Sequence, residues 1–147
     1  SLLPLARLYN LERELDQALQ EKIWLKSGGF LIIQQTEAFV AIDVNTGKHS
    51  SKKDAEENYK QINREAALEI ARQLRLRNLS GMILVDFINM KNTNDQSELL
   101  QYMGSLVRSD PMQTVVVDVT ALGIMEITRK KSAKTLAEQL LQLKKGE

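Results

Sequence analysis

Two apolar runs in this chain end in the same way. Phe39 to Val44 is hydrophobic apart from Asp43, then passes Asn45 and turns at Gly47; Met82 to Phe87 is hydrophobic apart from Asp86. Both read as strands that finish on a carboxylate. Upstream, Phe30 to Gln35 is a further strand, pairing with Ala38 to Val44 as a hairpin that turns near Thr36-Glu37. Between the acid-tipped strands, Tyr59, Ile62, Ala66, Ile70 and Leu74 recur at helical spacing, predicting a long helix from Asp54 to about Arg77, with Asp54 as cap and Glu56 and Glu57 in its first turn. The same period gives helices over Leu5 to Glu21 (stripe Leu8, Leu11, Leu15 and Ala18 or Leu19), Asp95 to Ser109 (Leu99, Met103, Leu106 inward) and Ser132 to Lys145 (Leu136, Leu140, Leu143). Thr114 to Val119 and Ile124 to Thr128 form a second hairpin around Ala121-Leu122-Gly123. The order αββαβαββα predicts an α/β fold, a mixed β-sheet layered with helices around a β-α-β core.

That core unit brings the acids together. Strands joined through a helix run parallel, so Asp43 and Asp86 finish at the same edge of the sheet, where open α/β sheets place their ligands. Burying an unpaired carboxylate is costly, so two such ends suggest a shared cation. Hard Mg²⁺, with Mn²⁺ as a substitute, prefers oxygen ligands and binds through one or two carboxylates. Asn45, two positions after Asp43, projects from the same strand face and is suited to hold a water or a phosphate oxygen. This pattern suits metal-assisted phosphodiester hydrolysis. Either Asp alone reads more readily as a cap of the following turn; two at equivalent places in one β-α-β unit leave both readings standing.

Composition narrows the chemistry by exclusion. With no cysteine and a single histidine, His49, the chain has no disulfide, no thiolate zinc site and no histidine pair for acid–base cleavage. Phosphate-cradling glycine loops are absent, and no apolar run approaches a membrane span. A formal net charge of +1 leaves nucleic-acid binding to local clusters. At 147 residues the chain reads as one domain, 1–147, and its start on Ser1 suggests a piece of something larger.

These same residues carry a resemblance. Gly28-Gly29, Gln35-Thr36-Glu37-Ala38, Ala41-Ile42-Asp43-Val44-Asn45-Thr46-Gly47, Asn63 with Glu65-Ala66-Ala67, Glu69-Ile70-Ala71-Arg72-Gln73-Leu74-Arg75-Leu76-Arg77 and Val85-Asp86-Phe87-Ile88 resemble the ribonuclease E/G family. The resemblance implies the family's deoxyribonuclease-I-like catalytic subdomain and a cytoplasmic, single-strand-specific endoribonuclease of RNA processing and decay that leaves 5′-phosphate and 3′-hydroxyl ends. It implies Mg²⁺ on Asp43 and Asp86, assisted by Asn45. An RNA-binding barrel and a 5′-end sensor are expected elsewhere in the parent chain; the Cys-Pro-x-Cys zinc element that follows the last helix in the family is missing from this sequence. The chain departs from the family pattern at Asn94-Asp95-Gln96, where basic residues are usual, and at Ala121. The isolated piece is therefore expected to be weak or inactive.

Other side chains carry expectations of lower specificity. Lys48, Lys52 and Lys53, in the loop after the metal motif, are candidates for RNA phosphates, as is Arg129 in the Glu126 to Lys131 stretch. Arg72, Arg75 and Arg77 read either as an RNA-facing cluster or as a solvated helix face. Trp24, Phe39 and Phe87 suit base stacking but fit core or interface roles better. The Leu136, Leu140 and Leu143 stripe suits packing or docking on another subunit, giving a homo-oligomer. Two competitors to the endoribonuclease remain: a non-catalytic RNA-binding or assembly module that keeps the fold, and a deoxyribonuclease or phosphoesterase on the same scaffold.

Overall fold

A computed structural model describes residues 2–47, 54–131 and 136–146. The elements are α1 (Leu2–Leu19), β1 (Lys22–Trp24), β2 (Phe30–Gln35), β3 (Val40–Asn45), α2 (Ala55–Leu76), β4 (Gly81–Asp86), α3 (Thr93–Arg108), β5 (Thr114–Val119), β6 (Met125–Arg129) and α4 (Leu136–Lys145). The predicted order holds with one addition, the three-residue strand β1.

The strands form one mixed sheet in the order β1-β2-β3-β4-β6-β5. Only the central pair, β3 and β4, is parallel, as the intervening helix α2 requires. The first hairpin turns through Thr36, whose backbone N–H donates to the Phe39 carbonyl at 2.9 Å and whose hydroxyl donates to the same oxygen at 2.8 Å. A threonine hydroxyl thus does the work that glycine does in tighter turns.

Alternation along the strands decides where the core sits. Leu31, Ile33, Val40, Ile42, Val44, Ile83, Val85, Met125 and Ile127 are buried on one face with Ile62, Ala66, Ile70 and Leu74 of α2 and Met103 and Val107 of α3. The α2 stripe packs as its period predicts, and α3 begins on Asn92, whose side chain accepts from the Asn94 and Asp95 backbone N–H groups. Asp54 occupies the N-cap position of α2, but among the described residues its side chain makes no capping hydrogen bond. The intervening residues of the central strands, Ile32, Gln34, Ala41, Asp43, Leu84 and Asp86, stand on the opposite face. That face carries a hollow of about 310 Å³ lined by residues on and flanking β2, β3, β4 and β6.

The terminal helices stand apart from the core. Leu5, Leu8, Tyr9 and Leu11 of α1 and Leu141 and Leu143 of α4 are exposed. Their period forms amphipathic helices, yet among the described residues no part of the core cluster comes from either.

Two buried arginines lock the ends of elements. Arg77, at the C-cap of α2, donates to Gln73 Oε1 at 2.7 Å and to the Gln20 carbonyl, while its own carbonyl accepts from the Leu136 N–H at 3.0 Å. It is 3% exposed and therefore does not face RNA, and Arg72 of the same run pairs with Glu69. Arg129, the second, forms an ion pair with Asp110 at 2.8 Å, both side chains almost wholly buried.

Candidate active site

The register of the parallel pair sets Asp43 directly beside Asp86. Neighbouring strands run about 4.8 Å apart, so the two carboxylates rise side by side. They stand on the open face: Ile42 and Val44 flank Asp43 and point into the core, as Val85 does beside Asp86. The expectation of buried acids is corrected here. Alternation makes both solvent-exposed, and the apolar character of the runs belongs to the other face.

Asn45 shares that face, and its Nδ2 donates to Asp43 Oδ2 at 3.4 Å. Among the described residues neither acid forms an ion pair; the basic side chains that do pair are Lys60, Arg72 and Arg129, all with other acids. Partial burial and the negative charge of Asp43 hold the Asp86 carboxyl above its ordinary range. Two like charges placed together, with no ion-pairing cation among the described residues, gain from a positive ion.

The surrounding backbone fixes this arrangement. Gly28 and Gly29 pass so close to the end of β3 that a Cβ on Gly29 would lie 2.8 Å from the Asn45 carbonyl oxygen and 2.9 Å from Ile62. Gly47, at φ +74°, meets Gly28 in the same way; its Cβ would lie 2.2 Å from the Gly28 carbonyl oxygen. These glycines therefore set where Asn45 sits.

On the other side, Asn63 is fully buried in α2 and holds the segment after β4. Its Nδ2 donates to the Ile88 carbonyl at 2.8 Å and its Oδ1 accepts from the Ile88 N–H at 2.9 Å. Sequence reasoning assigned Asn63 no role. The signal was an amide next to Ile62 inside an apolar helical stripe, where a polar side chain needs a partner.

The remaining candidates separate from the acid pair. Arg129 pairs in register with Gly81, at the opposite end of β4 from Asp86. Its guanidinium donates to Asp110 at 2.8 and 3.2 Å, to Asn78 Oδ1 at 2.8 Å and to the Leu79 carbonyl at 3.1 Å, and the residue is 4% exposed. The expected RNA contact at Arg129 is corrected to a structural role. Lys48, Lys52 and Lys53 lie outside the described residues, as does His49. Phe39 and Phe87 are half-buried, Phe87 against the core, whereas Trp24 is exposed.

A mixed sheet covered by helices on one side, with paired carboxylates on the other, defines the class: an α/β domain with an open acidic face. Comparison with known proteins makes this specific. The model of the Ribonuclease E/G family matches residues 2–132. The chain is 40% identical over 137 residues to Ribonuclease G of Escherichia coli (strain K12), covering 93% of this chain and 28% of that protein. It is 39% identical over 135 residues to Ribonuclease E of Nostoc sp., covering 92% of this chain and 20% of that one. The chain belongs to the ribonuclease E/G family. It spans between a fifth and about 28% of the length of these relatives. Among the described residues no helix is long and apolar enough to cross a membrane.

Proposed function

We propose that this chain is the hydrolytic core of an endoribonuclease that cuts single-stranded RNA, leaving 5′-phosphate and 3′-hydroxyl ends. The observation that carries the reading is the side-by-side placement of Asp43 and Asp86 on an exposed sheet face, with no ion-pairing cation among the described residues. Membership of a family whose relatives are named ribonucleases supplies RNA as the substrate class.

The donor set fits a hard divalent ion, Mg²⁺ or Mn²⁺. The two carboxylates supply oxygen ligands, and among the described residues no third His, Cys, Asp or Glu joins them in a cluster. Asp43 and Asp86 would hold such an ion, with water and substrate oxygens supplying its other ligands. When bound, such an ion polarises a phosphodiester and lowers the pKa of water. Asp43 and Asp86 hold their negative charge toward the substrate side, while Asn45 steadies Asp43 and retains amide valences for a phosphate oxygen or a water. Asn63 fixes the segment that follows Asp86, and the glycine contacts fix Asn45.

The test is exchange of this chain for the matching segment of Ribonuclease G, followed by cleavage of an unpaired RNA in Mg²⁺. Asp43→Asn or Asp86→Asn is expected to lower the rate roughly 10²- to 10³-fold, the equivalent of the several kcal/mol that a metal contributes to such a reaction. Undiminished cleavage in both variants would remove the acids from the mechanism.

A further inference from the structure

On the face that carries the acid pair, the edge strand presents an aromatic pair capped by a cation. Trp24 is 63% exposed, an unusual position for the largest apolar side chain. Its ring centroid lies 5.2 Å from that of Phe30, its partner in the β1–β2 register, with the rings inclined at 58°. Lys22 Nζ stands 4.3 Å from the Trp24 centroid and 4.2 Å from the Phe30 centroid.

Register ties this cluster to the site. Phe30 pairs onward with Asn45, so Trp24, Phe30 and Asn45 form one row across three strands. Lys22, Ile32, Asp43 and Asp86 form the next row across four. Strand spacing puts the aromatic pair about 5–10 Å from β3. Among the described strand residues of this face, Lys22 is the one basic side chain, the others being apolar, neutral polar or acidic.

We propose that Trp24, Phe30 and Lys22 form a base-stacking subsite that holds a nucleotide of single-stranded RNA beside the acid pair. An exposed indole offers a π-face to any base, which grips a strand without selecting its sequence. Lys22 adds a positive charge within reach of the backbone, where the neighbouring acids alone would repel it. Stacking on protein aromatics requires bases free of a helix, so the subsite discriminates against duplex.

The proposal rests on the hydrolytic reading only for its placement beside the scissile phosphate; binding itself is measured without cleavage. Trp24 is the only tryptophan in the chain, so its fluorescence reports directly. With divalent ions chelated, titrating a short unpaired oligoadenylate RNA into the chain is expected to quench this emission, and a duplex of matching length is expected to leave it unchanged. By anisotropy of the labelled oligoadenylate, Trp24→Ala and Trp24→Leu should bind roughly 5- to 150-fold more weakly. Trp24→Phe should keep most of the affinity, and Lys22→Gln should bind more weakly and with a shallower salt dependence. No quenching, equal quenching by duplex, or a Trp24→Leu variant that binds as tightly as Trp24→Phe would overturn the subsite. If Asp43→Asn left cleavage intact while stacking persisted, the hydrolytic reading alone would fall; if Asp43→Asn stopped cleavage while Trp24→Ala bound normally, the subsite alone would fall.

Discussion

The strand β4 has an aspartate near each of its ends, and the two are treated in opposite ways. Near the Gly81 end, Asp110 is buried and accepts from Arg129 at 2.8 Å, from the Met112 N–H at 2.9 Å and from the Thr114 hydroxyl at 2.9 Å. At the other end, Asp86 is exposed beside a second acid and among the described residues forms no ion pair. Burial pushes the Asp110 carboxyl up, but the hydrogen bonds and the guanidinium charge outweigh it and hold the group below its ordinary range. For Asp86, burial and the charge of Asp43 both push upward. The difference teaches which acid serves the fold. A carboxylate whose valences are filled internally stabilises structure; one left open beside a like charge is available to an outside ion.

The sharpest way to break the comparison is at the Asp110 end. Asp110→Asn strands a buried guanidinium, and urea denaturation is expected to show a loss of about 3–5 kcal/mol. The pH dependence follows: because the folded carboxyl lies below its unfolded value, this stabilisation is complete above the ordinary carboxylate range and is lost as pH falls through the lowered value. Next in size is Asn63→Leu, which leaves the Ile88 N–H and carbonyl unsatisfied. A loss of about 1–3 kcal/mol is expected for each buried group left without a partner, with faster amide exchange at Ile88.

The Asp86 end should respond to ions instead. At ten times its dissociation constant, Mg²⁺ is expected to stabilise the chain by about 1.4 kcal/mol in thermal melts, an increment absent from the Asp43→Asn and Asp86→Asn variants. Smallest of all, Asp86→Asn without metal should stabilise the fold by roughly 0.2–1 kcal/mol, since exposed like charges are largely screened. Its sign is opposite to that of Asp110: the folded carboxyl lies above its unfolded value, so ionisation weakens the fold as pH rises between the two. Destabilisation by Asp86→Asn would mean that the carboxylate has a structural partner.

The β-α-β unit and the meeting of Asp43 with Asp86 were legible in the sequence because both follow from chain direction: parallel strands finish at one edge. The face was not legible to the same degree, since the acids looked buried until alternation was read against the helices that cover one side. The short β1 was hidden because Lys22-Ile23-Trp24 is too brief for a period to emerge. Periodicity formed α1 and α4 but is silent on whether this chain covers their leucines. Arg129 misled because a basic side chain near a family motif is indistinguishable, in one dimension, from one reserved for an acid 19 residues away. Lys48, Lys52 and Lys53 lie outside the described residues.

The parallel ladder that aligns the two acids also guards its own alignment. Sliding either central strand by one position would turn its aspartate inward among Ile62, Ile70 and Met103, and turn a valine or isoleucine out into water. A carboxylate thrust into that interior is costly enough to reject the slipped pairing during folding. The charges of the acid pair thus double as proofreaders of the strand alignment that brings them together.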